Sequence, residues 1–260
     1  MAVCLLDFET TGLYPELDEI IEIGLKIVNE NIVYNKLIKP NLFINNYVNK
    51  KITEITGITH DMLEKNGIKQ SDACMDIYNF FINNNVKYLI AHNGYRFDFL
   101  FLKKLFNKFN IDIPDIKLID SLIYLKSNMK KNRSYSQKNL CQLFNITQNN
   151  AHRALGDVFD LEQILLEYSK NYNIVFNYEN IYNNMKHIII QNTIDLSYII
   201  EKFKLLNNNN ISEIKLSDLS NYQRRLIHNW IEININYDIN KWSHITHNID
   251  NNKVLIIKLI

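Results

Sequence analysis

Apolar positions gather at the start of the chain, in Val3-Cys4-Leu5-Leu6-Asp7-Phe8-Glu9, and such a short run predicts a buried strand whose last residues emerge at a sheet edge. Glu19-Ile20-Ile21-Glu22-Ile23-Gly24 predicts a second strand, and Leu89-Ile90-Ala91 a third, running into a turn at Asn93-Gly94. Phe99 to Phe106 reads as a helix opened by Asp98. Val158, Leu161, Ile164, Leu165 and Tyr168 recur at helical spacing and predict a helix that ends near Ser169-Lys170-Asn171. Residues 172–192 show no clean period and stay unassigned, as a linker or an extra hairpin. Leu196 through Leu206 and Asn221 through Ile231 predict two more helices, the second preceded by capping material at Ser217-Asp218-Leu219-Ser220. Ser243–His247 and Val254–Lys258 predict a hairpin around Asp250-Asn251-Asn252.

Polar residues interrupt this pattern at informative places. Side chains alternate along a strand, so Asp7 and Glu9 share a face. Two carboxylates held that close repel one another and raise each other's pKa unless a cation neutralises them, and hard oxygen ligands suit magnesium or manganese better than zinc. A solvated pair reads equally well from this fragment alone. Thr10-Thr11-Gly12-Leu13 follows as a loop able to bring backbone close to a ligand. Asp98 is either a further acid of the site or an N-cap, which stabilises a helix by about 1 kcal/mol. His152, five residues before Asp157, lies on the turn that precedes a buried helix, so a proton acceptor and a metal ligand could face one cavity. Each fragment alone has an ordinary structural reading; all three in this order point to a shared site.

Asp7-Phe8-Glu9-Thr10-Thr11-Gly12-Leu13, Ala91-His92-Asn93-Gly94-Tyr95-Arg96-Phe97-Asp98 and His152-Arg153-Ala154-Leu155-Gly156-Asp157 together resemble the motifs of the DEDDh branch of the DnaQ-like 3′-to-5′ exonucleases, over about two-thirds of the chain. Arg153 occupies the position where a tyrosine subgroup would carry Tyr, so the chain resembles the histidine type. The resemblance implies an α/β fold, a ribonuclease H-like mixed sheet flanked by helices. It further implies that Asp7, Glu9 and Asp157 ligate metal, with Asp98 bound directly or through water. Two Mg2+ ions, replaceable by Mn2+, would then stabilise the attacking and leaving oxygens of an in-line displacement, while His152 accepts a proton from the attacking water. The implied products are nucleoside 5′-monophosphates released from a 3′ end. Thr10, Thr11 and Leu13 are candidate contacts to the terminal nucleotide. Glu54-Ile55-Thr56-Gly57-Ile58-Thr59 resembles the family's segment beneath the terminal base, which makes Ile58 a candidate contact. His92 and Asn93 either touch substrate or serve packing and the turn. Glu22 resembles a structural position of the family, Asp120 reads as a helix cap, and Asp160 as a solvated helical residue.

The C-terminal end adds a second resemblance. Arg224 and His228 lie four apart on one predicted helix face, with Arg225 beside them, and spacing alone describes an exposed polar face. Ser220 to His228, followed by a closing hairpin, resembles the Arg-x-x-x-His domain, a small α+β module that binds single-stranded nucleic acid. Arg224 and Arg225 would then engage phosphate, and His228 a base or phosphate. The expected organisation is an exonuclease domain at 1–172, a connecting segment at 173–194 and the single-strand-binding module at 195–260.

Composition narrows the partners. The chain has 260 residues, a formal net charge of +1 and 47% hydrophobic residues, enough for a sizeable core. The balanced charge sets up no global basic field, so nucleic acid would be bound locally and with metal assistance. Cys4, Cys74 and Cys141 lack paired spacing, which argues against a zinc site or disulfide framework and for a reducing compartment, cytoplasm or nucleus. No apolar run approaches the roughly 20 residues of a membrane span, and no secretory signal is expected. Asn, Ile, Lys and Tyr abound, as in proteins from AT-rich genomes, viral ones included. The motif forms look closest to TREX-like enzymes, so a 3′ end of DNA is the expected substrate. An RNA 3′-end trimming enzyme and a non-catalytic nucleic-acid-binding subunit are the alternatives.

Overall fold

The computed structural model describes residues 2–13, 15, 18–40, 50–129, 132, 134–148, 152–192, 213–217, 224, 242–249 and 252–259. The chain divides into two compact units, Met1–Ile188 and Ile189–Ile260.

In the first unit, strands β1 (Ala2–Thr10), β2 (Ile20–Ile27) and β3 (Val33–Lys39) form a meander. Two short helices follow, α1 (Lys50–Thr56) and α2 (His60–Asn66), then β4 (Ile68–Lys69), α3 (Gln70–Asn83) and β5 (Val86–Ala91). A single 3-10 turn, Gly94–Arg96, leads into α4 (Asp98–Lys108), β6 (Lys117–Asp120), α5 (Ser121–Asn128) and α6 (Gln137–Leu143). The helices α7 (Ala154–Tyr172) and α8 (Tyr178–Asn192) complete the series. The strands form one mixed sheet in the order β4-β3-β2-β1-β5-β6, with β2 antiparallel to its neighbours and the other pairs parallel. This is the mixed, helix-flanked sheet expected of a ribonuclease H-like fold.

Strand alternation divides the core between two faces. Cys4, Leu6 and Phe8 of β1, with Ile23, Leu25 and Ile27 of β2, join the cluster built on Cys74, Ile77, Phe101 and Phe106 of α3 and α4. Leu5 points the other way, toward Val158, Leu161 and Leu165 of α7. Asp7 and Glu9 are in step with Leu5, so they emerge on the α7 face. Each apolar side chain fully buried there contributes about 1.5–3 kcal/mol.

Polar residues of β2 meet α7 on that same face. Lys26 and Glu162 form a buried ion pair at 2.9 Å; Lys26 also donates to the carbonyls of Ile27 and Glu30, and Glu162 accepts the Asn29 N–H. Removing one partner of a buried pair costs about 3–5 kcal/mol, because the other charge is left uncompensated. Glu162→Ala is therefore expected to lower the urea midpoint sharply. A loss below about 1 kcal/mol, as for exposed pairs, would show that Lys26 reaches solvent.

Asn replaces Gly at several turns: Asn29, Asn85, Asn93, Asn110, Asn145 and Asn173 adopt positive φ, a conformation Asn tolerates better than most side chains. Asn173 (φ 51°, ψ 48°) ends α7, its N–H donating to Lys170 while Ile174 N–H donates to Ser169. The helix thus ends one residue beyond the sequence expectation. Residues 178–192, unassigned from sequence, form α8, and Asn177 accepts the Asn180 N–H at its start.

In the second unit β7 (Glu213–Leu216), β8 (Trp242–Ile249) and β9 (Asn252–Leu259) form an antiparallel sheet in the order β7-β9-β8. The β8–β9 hairpin stands where the sequence predicts it; β7 carries no sequence expectation. The helix expected over 196–206 lies outside the described residues. Of the one expected over 221–231, only Arg224 is described, and it is helical.

Candidate metal centre

Asp7, Glu9 and Asp157 each present a carboxylate oxygen, and the three oxygens lie within 4.8 Å of one another. Two come from one strand face and the third from the first turn of α7, which packs across that face. Asp98 completes the acidic group from the start of α4. It is 2% exposed, and its Oδ1 accepts the Phe8 N–H at 3.1 Å, between the two β1 acids in sequence. Phe97 holds the N-cap position of α4 and Asp98 is the first helical residue, so the N-cap reading gives way to this long-range contact.

Burial and mutual repulsion raise all four carboxyl pKa values. Burial holds Asp7 well above the usual range, and the charges of Asp98, Asp157, Glu9 and Glu22 add to it. Burial, then Asp157, Glu22 and Asp98, lifts Glu9 to about 8, with Arg153 opposing. Burial lifts Asp98 to about 7 and Asp157 to about 6; His152 pulls Asp157 downward. Acids held this tightly make a poor resting state but a good all-oxygen donor set, so the residues fit a hard divalent cation such as Mg2+ or Mn2+. Raised carboxyl pKa values mean that the folded chain binds more protons than the unfolded one between about pH 4 and pH 8, so metal-free stability falls as pH rises through that window. Thermal scans should show Mg2+ or Mn2+ raising Tm more at pH 8 than at pH 5, with the difference diminished in Asp7→Asn. Equal shifts at both pH values would argue against binding at these acids.

His152 is exposed, with φ at 64°, and its backbone N–H donates to Asp157 Oδ2 at 3.2 Å. This ties the histidine to the acid five residues on. The loop after β1 is also braced: Thr10 Oγ1 donates to Gly12 O, and Thr11 Oγ1 donates to Asp18 while accepting the Glu19 N–H. A Cβ at Gly12 would stand 2.4 Å from the Asp18 carboxylate, so a larger residue there would displace the side chain that Thr11 holds. Leu13 is 62% exposed beside it.

Several sequence expectations are corrected by packing. Ile58 is fully buried against Ile21 and Leu63, which removes it from any substrate surface. The ring nitrogens of His92 lie 2.9 Å from Ser121 Oγ and 2.8 Å from Tyr135 O, and burial lowers its pKa to about 4. His92 therefore braces the loop before α6, the packing role that the sequence left open, and it also lines a polar cavity there. Asn93 takes the left-handed position of the turn, with its N–H on Asp120 Oδ1. Asp120 also caps α5 and accepts the Tyr95 N–H. Asp160, expected in solvent, is 1% exposed and accepts from Gln148. Arg224 is 9% exposed and donates to the Lys253 carbonyl, so its guanidinium is engaged within its own unit. Arg225 and His228 lie outside the described residues.

Two groups near the acids carry no signal in local spacing. Gln137 Nε2 donates to Asp157 O at 2.8 Å. Arg153 Nε and Nη2 grip both oxygens of buried Glu22, which also accepts the Ala154 N–H. Beside the end of β5, a cavity of about 530 Å3 is lined by Asn93, Lys126, Ser134 and Gln137, among others.

Residues 4–165 match the family described as Exonuclease, RNase T. The DNA polymerase III PolC-type of Thermotoga maritima is 37% identical over 166 residues, 63% of this chain and 11% of that protein. The 3′-5′ exonuclease DinG of Staphylococcus saprophyticus is 32% identical over 173 residues, 62% and 17%. Exonuclease DPD1, chloroplastic/mitochondrial, of Arabidopsis thaliana is 31% identical over 179 residues, 63% and 55%. The chain thus spans little more than half of the last and less than a fifth of the first two. Among solved structures, E. coli exonuclease I with a dT13 oligonucleotide superposes with TM-score 0.56 at 20% identity, over 65% of this chain and 41% of that one. The nuclease domain of 3′hExo, a DEDDh family member bound to rAMP, gives TM-score 0.56 at 19% identity, over 65% and 92%.

Proposed function

The chain belongs to the Exonuclease family matched over residues 4–165, and from that membership we propose that it is a metal-dependent 3′-to-5′ exonuclease acting on DNA. The observation that carries the reading is the convergence of Asp7, Glu9 and Asp157 on one point, with Asp98 beside them. Asp7, Glu9 and Asp157 would hold divalent cations, which when bound supply positive charge to the attacking and leaving oxygens of a phosphodiester. His152 has the location and the solvent access of a general base, and takes the proton from the attacking water at an imidazole nitrogen. Its backbone tie to Asp157, and the pull of its charge on the Asp157 pKa, keep the residue beside the acids. The braced Thr10–Leu13 loop offers the exposed Leu13 to the terminal nucleotide, with Thr11 next to it, while Thr10, 5% exposed with its hydroxyl on Gly12 O, shapes the turn; the polar cavity near Asn93 and Lys126 has room for the strand behind it.

DNA is favoured because relatives above 30% identity include the PolC-type DNA polymerases. The 3′hExo nuclease domain with rAMP is a neighbour in fold, so RNA belongs in the same experiment. Purified chain and Asp7→Asn are incubated with matched DNA and RNA oligonucleotides in Mg2+, Mn2+ or chelator. Metal-dependent 3′ shortening of DNA by the wild type alone is expected; preferential shortening of RNA transfers the reading to that polymer, and inertness toward both leaves a binding role. From the sequence resemblance alone, residues 195–260 would retain single strands through Arg225 and His228, with Arg224 engaged by the Lys253 carbonyl.

A further inference from the structure

One face of β2 is devoted to the start of α7. Glu22 and Gly24 are two residues apart, so they share a face, and both meet the residues just after His152. Glu22, 1% exposed, accepts from Arg153 Nε at 3.1 and 3.0 Å, from Arg153 Nη2 at 2.6 Å and from the Ala154 N–H at 3.0 Å. Gly24 lets the backbone approach: a Cβ there would stand 2.5 Å from the carbonyl carbon of Ala154. Arg153 has extended backbone (φ −129°, ψ 124°) and precedes the first helical residue. His152 stands one residue earlier in the left-handed region at φ 64°, strained for a non-glycine residue, and is held by its N–H to Asp157 Oδ2. A strained residue persists only where its surroundings over-determine it. The restraint on its C-terminal side is the Glu22 grip on Arg153 and Ala154.

We propose that Glu22 and Arg153 are positioning residues that fix the backbone of His152 and so aim its imidazole at the acidic centre. The inference rests on the reading of His152 as proton acceptor. A bidentate guanidinium–carboxylate pair fixes orientation as well as distance, which a single ammonium contact does not. Arg153 sits outside the acid triad: its guanidinium is held by Glu22, and toward the triad it contributes its charge, which opposes the rise in the Glu9 pKa. Its loss is felt in the proton-transfer step more than in holding substrate. The buried Glu22 would otherwise add a further unpaired negative charge beside Asp7, Glu9 and Asp157, so kinetics are compared at saturating metal.

Single- and multiple-turnover cleavage of a 3′-labelled DNA strand is measured for wild type, Arg153→Ala, Arg153→Lys, Glu22→Gln, His152→Ala and the double variant His152→Ala/Arg153→Ala. Arg153→Ala is expected to lower kcat by roughly 10–100-fold, the range for groups that orient a metal-site residue, with KM within about twofold. Arg153→Lys should recover part of the rate. In the His152→Ala background the same Arg153 change should cost nothing further, because residues acting as a unit are non-additive. Arg153 is 37% exposed, so its truncation removes little core, and Arg153→Lys keeps a positive charge on buried Glu22; a Tm for each variant establishes that it is folded before its kinetics are compared. Normal kcat with only a lowered Tm, or an undiminished loss in the His152→Ala background, overturns the inference while leaving the nuclease reading intact. A wild type inert toward every 3′ end overturns the nuclease reading itself, and the inference with it.

Discussion

Asp7→Asn is expected to abolish metal-dependent 3′ shortening while leaving a folded chain. Cation charge contributes several kcal/mol to the transition state of phosphodiester cleavage, and each 1.4 kcal/mol is tenfold in rate, so the loss is at least about 10³-fold. The substitution keeps shape and removes charge at the acid with the most crowded surroundings. Relief of that crowding should raise metal-free Tm at pH 8 even as activity disappears. Isothermal titration with Mn2+ would record the loss of binding directly. A variant that still binds Mn2+ like the wild type and still cleaves would remove Asp7 from the ligand set.

His152→Ala is the complementary case. A positioned general base contributes on the order of 10²–10⁴ in rate, and the exposed ring of His152 supports little of the core. The expected result is a fall of that size in kcat, with Mn2+ affinity and KM nearly unchanged and Tm within a few degrees. The pair separates charge from proton transfer: one variant loses the cation, the other retains an assembled centre without its base. Normal turnover by His152→Ala would assign the base elsewhere.

The parts of this site that sequence reveals are those set by local period. β1 alternates, so Asp7 and Glu9 fall on one face without knowledge of what covers it; α7 repeats at helical spacing, so its start near Asp157 is readable. What escapes is set by partners far along the chain. Glu22 and Arg153 are 131 residues apart and meet only because α7 crosses β2. Asp160 reads as a surface residue until Gln148 is brought to it, and Ile58 as accessible until Ile21 and Leu63 close over it. His92 falls in a motif that suggests substrate contact, but Ser121 and Tyr135 occupy its ring. α8 escaped for a different reason: its Asn-rich first turns weaken the helix signal, although Ile181 and Met185 are buried four apart on its inner side.

The alternation of β1 makes this protein intolerant of a particular kind of sequence change. Residues 4, 6 and 8 feed one core and residues 5, 7 and 9 serve the other face. A single-residue insertion or deletion before Asp7 would exchange the two sets across the sheet, because side chains repeat every second residue. Carboxylates would enter the aromatic layer of α3 and α4, and Leu6 or Phe8 would stand among the acids of the candidate centre. Point substitutions in this strand can separate stability from activity, but length changes cannot, so a library built with indels should yield no folded, inactive survivors from this segment.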